Sequence, residues 1–133
     1  MSRPTVFVTR KLPPAVEARV ARDYEARLNP DDRIYTADEL ATQAADADAM
    51  LICTSEKITA NLVARLPQRL KVISTFSVGY EHLDLAACRA RGIVAANIPG
   101  AMTEATANIA MLLMLGAARR SYEAQQMVRR GEW

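Results

Sequence analysis

Short runs of β-branched and apolar residues recur along this chain, and a helix-patterned stretch or a turn separates each from the next: 5–9, 33–35, 49–53, 70–75 and 93–97. A strand followed by a helix and a further strand returns to the same sheet in parallel, through a right-handed crossover. Five such runs lead to an α/β fold, one parallel sheet with flanking helices in the flavodoxin-like order 2-1-3-4-5. The run Ala49, Met50, Leu51, Ile52 and Cys53 is apolar throughout, as a strand covered on both faces requires. Ligands of such sheets lie beyond the carboxyl ends of the strands, which directs attention to loops 9–14, 54–59, 75–83 and 97–103.

Punctuation between the runs agrees with this pattern. Pro13 and Pro14 suit a helix start, and Val16, Val20 and Tyr24 then recur at a spacing that lines one helical face. Asn29, Pro30, Asp31 and Asp32 form a turn. Thr36 followed by Glu39 is a capping box that opens a helix over 37–45. Thr59 caps a short helix carrying Leu62, Val63 and Leu66, which Pro67 ends. Asp84 caps another over 85–91, and Gly92 is placed for its C-terminus.

The last third has a different character. From Thr103 to Arg130 only Gly116 weakens a helix, so one helix of about 40 Å is predicted. Its middle, Ile109 to Leu115, is apolar all round and needs cover on every side: a second domain, a second subunit or both. The sequence stops at Gly131, Glu132 and Trp133 with no element to supply that cover, as expected of a piece of a larger protein. The expected division is a substrate-binding domain over 1–100 and a linking helix over 101–133.

Composition excludes several functions. The chain has 133 residues, 50% of them hydrophobic, which suffices for one buried core. Lys and Arg number 17 against 15 Asp and Glu; the net charge of +2 and 5% aromatic content do not suit a nucleic-acid surface. Cys53 and Cys88 lack His or Cys partners at metal-ligand spacing, and read as reduced thiols of a cytoplasmic protein with no metal site. No secretory leader opens the chain, and the apolar run 109–118 is about half a membrane span.

Two loops can carry chemistry. In 75–84, Gly79 allows close backbone approach or a positive φ, and the amides of Val78 and Gly79 can form an anion-binding concavity with Ser77 beside them. An ordinary strand-to-helix turn accounts for the same residues. In 99–108, Pro99 and Gly100 turn the chain, and Thr103 to Thr106 open the long helix, whose first amides suit a polar ligand as well as plain capping by Thr103. His82, the sole histidine, lacks triad or metal partners and reads as locally packed; Glu81 and Asp84 read as a solvated carboxylate and a cap. There is no G-x-G-x-x-G, no Walker motif, no acidic pair of a phosphoacceptor domain and no flavin phosphate loop.

The stretch from Lys71 through Ser77, Val78, Gly79, Tyr80, Glu81, His82, Leu83 and Asp84, with Ala90, Arg91, Gly92, Ile93, Pro99, the run Thr103 to Ala110, and the closing Arg130 to Trp133, resembles the D-isomer-specific 2-hydroxyacid dehydrogenases, nearest to their glyoxylate/hydroxypyruvate reductase branch. The resemblance implies a two-domain enzyme that passes a hydride between NAD or NADP and the C2 of a 2-oxo acid, of which this chain supplies most of the substrate domain. It implies substrate carboxylate binding at Ser77, Val78 and Gly79, and cofactor contact at Thr106. It implies that the helix 103–130 leads to an absent nucleotide-binding domain and pairs two subunits. The family's proton-donating histidine, its carboxylate and its arginine fall outside this sequence, so no catalytic residue is assigned and the chain alone is expected to be inactive. Glu81 stands where aspartate or asparagine is usual, and Asn108 where an acid is common. The alternative is a stand-alone flavodoxin-like module that captures a small carboxylate without chemistry.

Overall fold

The computed structural model describes residues 3–132. The chain divides into two compact units, Met1–Pro99 and Gly100–Trp133. The first holds strands β1 (Thr5–Val8), β2 (Glu25–Arg27), β3 (Ala49–Ile52), β4 (Val72–Thr75) and β5 (Val94–Ala96), and helices α1 (Pro14–Asp23), α2 (Ala37–Gln43), α3 (Ala60–Arg65) and α4 (Leu85–Ala90). The sheet runs β2-β1-β3-β4-β5 with every pair parallel. Because every strand runs the same way, the loops after β1, β3, β4 and β5 gather at the carboxyl end of the sheet, and the order reverses between β1 and β3.

The local signals act as expected. The Thr36 hydroxyl accepts from the Glu39 amide while the Glu39 carboxylate accepts from the Thr36 amide at 2.8 Å, closing the capping box of α2. Thr59 and Asp84 cap α3 and α4 through the amides of Leu62 and Ala87. Gly92 takes φ +67° after α4, a value that only glycine adopts without cost. The carbonyls left open at the end of α3 are taken by Arg91, whose guanidinium donates to Val63 O at 2.8 Å and Leu66 O at 2.9 Å.

The second strand departs from expectation. It lies at Glu25–Arg27, whereas 33–35 forms no strand. Tyr24 leaves α1 already extended, and the chain runs without a loop into pairing with β1, Thr5 opposite Glu25. An edge strand is hydrogen-bonded on one side only and needs little intrinsic preference, so Glu-Ala-Arg suffices. Within 33–35 it is Tyr35 that packs on the core, while Ile34 is exposed. Tyr35 meets Phe7 edge-to-face, ring centres 5.5 Å apart, and the Arg33 guanidinium lies 4.7 Å from the Tyr35 ring.

Strand alternation separates two cores. Phe7, Met50, Ile52 and Ile73 face Leu40, Leu62, Val63 and Cys88 of α2, α3 and α4. Val6 and Val8 face Val20 of α1, with Ala49 and Leu51 only half-buried beside them. The apolar run of β3 is therefore fully covered on one face and partly on the other.

The second unit holds α5 (Thr103–Ala118) and α6 (Ser121–Arg129). The single helix expected over 103–130 is broken. Arg120 adopts left-handed φ 47°, ψ 45°, and Arg119 and Arg120 bond back to Leu115 O and Ala117 O to close α5. Gly116 gives the corner room, because a Cβ there would lie 3.1 Å from the Ser121 hydroxyl. At 16 residues α5 is about 24 Å long. Thr103 is its first helical residue rather than its cap; Met102 holds that position without a side-chain bond. Leu112, Leu113, Met114 and Leu115 are all exposed. Among the described residues no helix is long and apolar enough to cross a membrane.

Candidate functional site

The loop after β4 is tied edge to edge to the loop after β3. Phe76 N donates to Ile52 O at 2.7 Å, Ile58 N to His82 O at 2.8 Å, and Asp84 N to Ile58 O at 2.9 Å. This short parallel ladder continues the sheet past its strands and pins both ends of 76–84.

Inside that frame three consecutive carbonyls are taken. Ser77 O accepts from Ile98 N at 3.0 Å, Val78 O from Asn97 Nδ2 at 2.7 Å, and Gly79 O from Ser77 Oγ at 2.7 Å. The amides on the other side of those peptides, of Val78, Gly79 and Tyr80, donate to no group among the described residues. A hydrogen bond to a peptide's oxygen polarises its N–H, so the free donors are strengthened ones. Successive N–H groups without an internal partner are donors that suit an anion.

Gly79 does not use the left-handed region; the glycines that do are Gly92, Gly100 and Gly131. Of the two roles open to it, close approach is the one it fills. The Glu81 carboxylate occupies the space a Cβ would take, and its carbon would lie 3.3 Å from that Cβ. Glu81 itself is exposed, whereas Asp84 is the α4 cap.

His82 is buried, 7% exposed, with Nε2 2.9 Å from Thr75 Oγ1, which in turn lies 2.7 Å from Ser77 Oγ. Burial, assisted by the Lys57 charge, holds the imidazole below its usual pKa. The histidine is thus part of the loop's internal support. The Ser77 hydroxyl is likewise spent inside the loop, which leaves backbone amides rather than that side chain to meet a ligand.

A second polar cluster flanks the first, at the ends of β1 and β3. The buried Glu56 carboxylate accepts from Cys53 N at 2.8 Å, Thr9 Oγ1 at 3.0 Å and Ser55 Oγ at 2.7 Å. Arg10 donates to Ser55 Oγ at 2.7 Å and pairs with Asp32 at 2.8 Å. With Arg10 and the Lys11 amide beside it, Asp32 is held down to about 2. Burial pushes the Cys53 thiol up, as it does that of Cys88. No group of His, Cys, Asp and Glu among the described residues could hold a metal. A separate hollow of about 640 Å³ lies against the sheet face, walled by Val6, Val20, Leu51 and Val72 with Arg3, Arg69 and Lys71 among its lining, away from the loop after β4.

In the second unit Thr106 is exposed on the first turns of α5 and lines a hollow of about 250 Å³ with Met102, Ala105 and Ile109. It is the one residue assigned to a cofactor from the sequence, and the chain has no glycine-rich phosphate turn to accompany it.

Sequence reasoning placed Ser77, Val78 and Gly79 in one loop, and the structure keeps them together. It missed Asn97 and Thr75, which hold that loop, and the Glu56 cluster. A signal existed for Asn97: it is the first residue after β5, at the same end of the sheet as the loop after β4.

The model of the D-isomer specific 2-hydroxyacid dehydrogenase catalytic domain matches residues 6–130. A glycerate dehydrogenase of Hyphomicrobium methylovorum is 44% identical over 133 residues, which is 100% of this chain and 41% of that protein. A solved structure from Polaromonas sp. JS6 66, named for an NAD-binding D-isomer specific 2-hydroxyacid dehydrogenase, has 40% identity and a TM-score of 0.82 over 98% of this chain and 41% of its own. An NADPH-dependent glyoxylate/hydroxypyruvate reductase from Sinorhizobium meliloti, solved with NADP and malonate, has 30% identity and a TM-score of 0.76 over 99% of this chain and 40% of its own. This chain thus spans about two fifths of the length of these relatives. From the matched model and from relatives in both sequence and structure, the chain belongs to the D-isomer-specific 2-hydroxyacid dehydrogenase family.

Proposed function

We propose that this chain supplies the carboxylate-receiving part of an NAD(P)-dependent oxidoreductase that interconverts a small 2-oxo acid, of glyoxylate or hydroxypyruvate type, and the D-2-hydroxy acid. The observation that carries the reading is the loop 77–80, with its carbonyls bonded inward and the amides of Val78, Gly79 and Tyr80 open. Those amides would hold the substrate carboxylate, and the ladder to the loop after β3 would fix its direction. The glycine leaves room beside the backbone that the exposed, flexible Glu81 side chain now fills and would have to vacate for the acid.

A bound nicotinamide supplies the hydride. Thr106 is the one residue here that would meet it, so this chain's own part is to bind and orient the acid. The exposed apolar middle of α5 is assigned to a second copy, making a homodimer through 103–130, and the two free thiols suit the reducing cytoplasm. The 133 residues alone are expected to leave NADH unoxidised in the presence of glyoxylate.

The test is a titration of the chain with malonate, at ionic strength matched by sodium chloride, followed by amide NMR. Saturable shifts of the Val78 and Gly79 amides are expected. Shifts confined to other residues would refute the assignment.

A further inference from the structure

The support beneath the loop has a direction that one-proton bookkeeping reveals. Ser77 Oγ lies 2.7 Å from Gly79 O, and a carbonyl cannot donate, so the Ser77 hydroxyl spends its hydrogen there. The contact of 2.7 Å between Ser77 Oγ and Thr75 Oγ1 must then use the Thr75 hydrogen. Thr75 has none left for the contact of 2.9 Å with His82 Nε2, so the imidazole must donate.

We propose that His82 is a positioning residue of the carboxylate loop: its Nε2–H heads a one-way chain through the Thr75 and Ser77 hydroxyls that ends on the Gly79 carbonyl and fixes the Gly79–Tyr80 peptide, whose Tyr80 N–H is one of the open donors. This rests on the carboxylate-receiving reading of the same loop. The other tautomer, protonated at Nδ1, would draw the Thr75 hydrogen back to the ring. Ser77 would then face either a lone pair of Thr75 at 2.7 Å or an abandoned Gly79 carbonyl. Thr75 is fully buried, so no water repairs the break from its side. Nδ1 makes no hydrogen bond among the described residues, so nothing there opposes the required tautomer. An imidazolium also carries the Nε2 proton and leaves the chain in place. Only the tautomer, not the charge, switches it.

His82 is the sole histidine, so a long-range proton–nitrogen spectrum of the tag-free full chain reads its tautomer without assignment work. The expected spectrum is that of a ring protonated at Nε2 with a bare Nδ1. A ring protonated at Nδ1, or an even mixture, overturns the proposal. In the malonate titration, His82→Leu is expected to weaken binding about fivefold, the worth of one lost hydrogen bond. His82→Gln, whose amide can donate from the same place, is expected to recover most of that loss. Wild-type affinity in His82→Leu, or no recovery in a folded His82→Gln, counts against the assignment. If the wild-type Val78 and Gly79 amides ignore malonate, the carboxylate reading fails and the role of His82 with it. Malonate binding together with an Nδ1–H ring removes His82 alone.

Discussion

The Asn97 side-chain amide donates to the Val78 carbonyl at 2.7 Å, joining the first residue after β5 to the middle of the loop after β4. This bond crosses from one strand end to the next and takes the carbonyl of the Val78–Gly79 peptide, whose N–H has no acceptor among the described residues. Asn97→Ala is expected to weaken malonate binding about fivefold. The melting temperature should fall by only about 2 °C, since the bond is solvent-exposed. Asn97→Asp should bind more weakly still, because a carboxylate cannot donate and repels the ligand. Titration of both variants decides it; unchanged affinity in Asn97→Asp would show that this bond does not orient the site.

Gly79 separates folding from binding. Its backbone is not left-handed, and what a Cβ would displace is the flexible end of Glu81. Gly79→Ala is therefore expected to fold, with stability unchanged or raised by up to about 1 kcal/mol through the lost freedom of the unfolded chain. The same methyl keeps that space filled even when Glu81 swings away, so malonate should bind more weakly. A denaturation curve and a titration on one sample test both halves.

Acid should act through Asp32. Its carboxyl is held at about 2 by Arg10 and the Lys11 amide, against 3.8 when free. A depressed carboxylate adds stability above its unfolded pKa and loses it as the pH falls through the folded value. That contribution is complete above 3.8 and fades toward 2. Asp32→Asn, which tolerates the φ of 52° found there, should make the melting temperature fall less steeply across this interval, the lowered carboxyls of Glu39 and Asp48 keeping the rest of the slope. A variant that follows the wild-type slope would place the acid sensitivity elsewhere.

Glu56 is the costliest polar position to empty. Glu56→Ala leaves Cys53 N, Thr9 Oγ1 and Ser55 Oγ without their shared acceptor in a buried place, a loss of about 2–3 kcal/mol. Glu56→Gln keeps one oxygen and can donate to Ser55 Oγ, and should lose less than half as much. Urea unfolding of the two variants ranks them, and equal losses would assign the effect to charge rather than to bond count.

Much of this arrangement is written locally. Thr36 with Glu39, Thr59, Asp84 and Gly92 each act on amides or dihedrals a few residues away, so their roles can be read without a fold. The edge strand could not be read this way. Glu25, Ala26 and Arg27 carry no strand signal, and pair because β1 lies beside them. Nor could the break at Arg120, where no proline or glycine stands and the backbone turns left-handed with Ser121 close to Gly116.

By itself the sequence determined the parallel five-run alternation, the helix caps and the candidate loop around Gly79, because periodicity, capping and glycine act over a few residues. Only the tertiary structure decided which amides of that loop stay open. That depends on Asn97, Ile98 and Thr75 arriving from other strand ends to take or support its carbonyls, and hydrogen-bond partners distant along the chain are set by packing rather than by spacing.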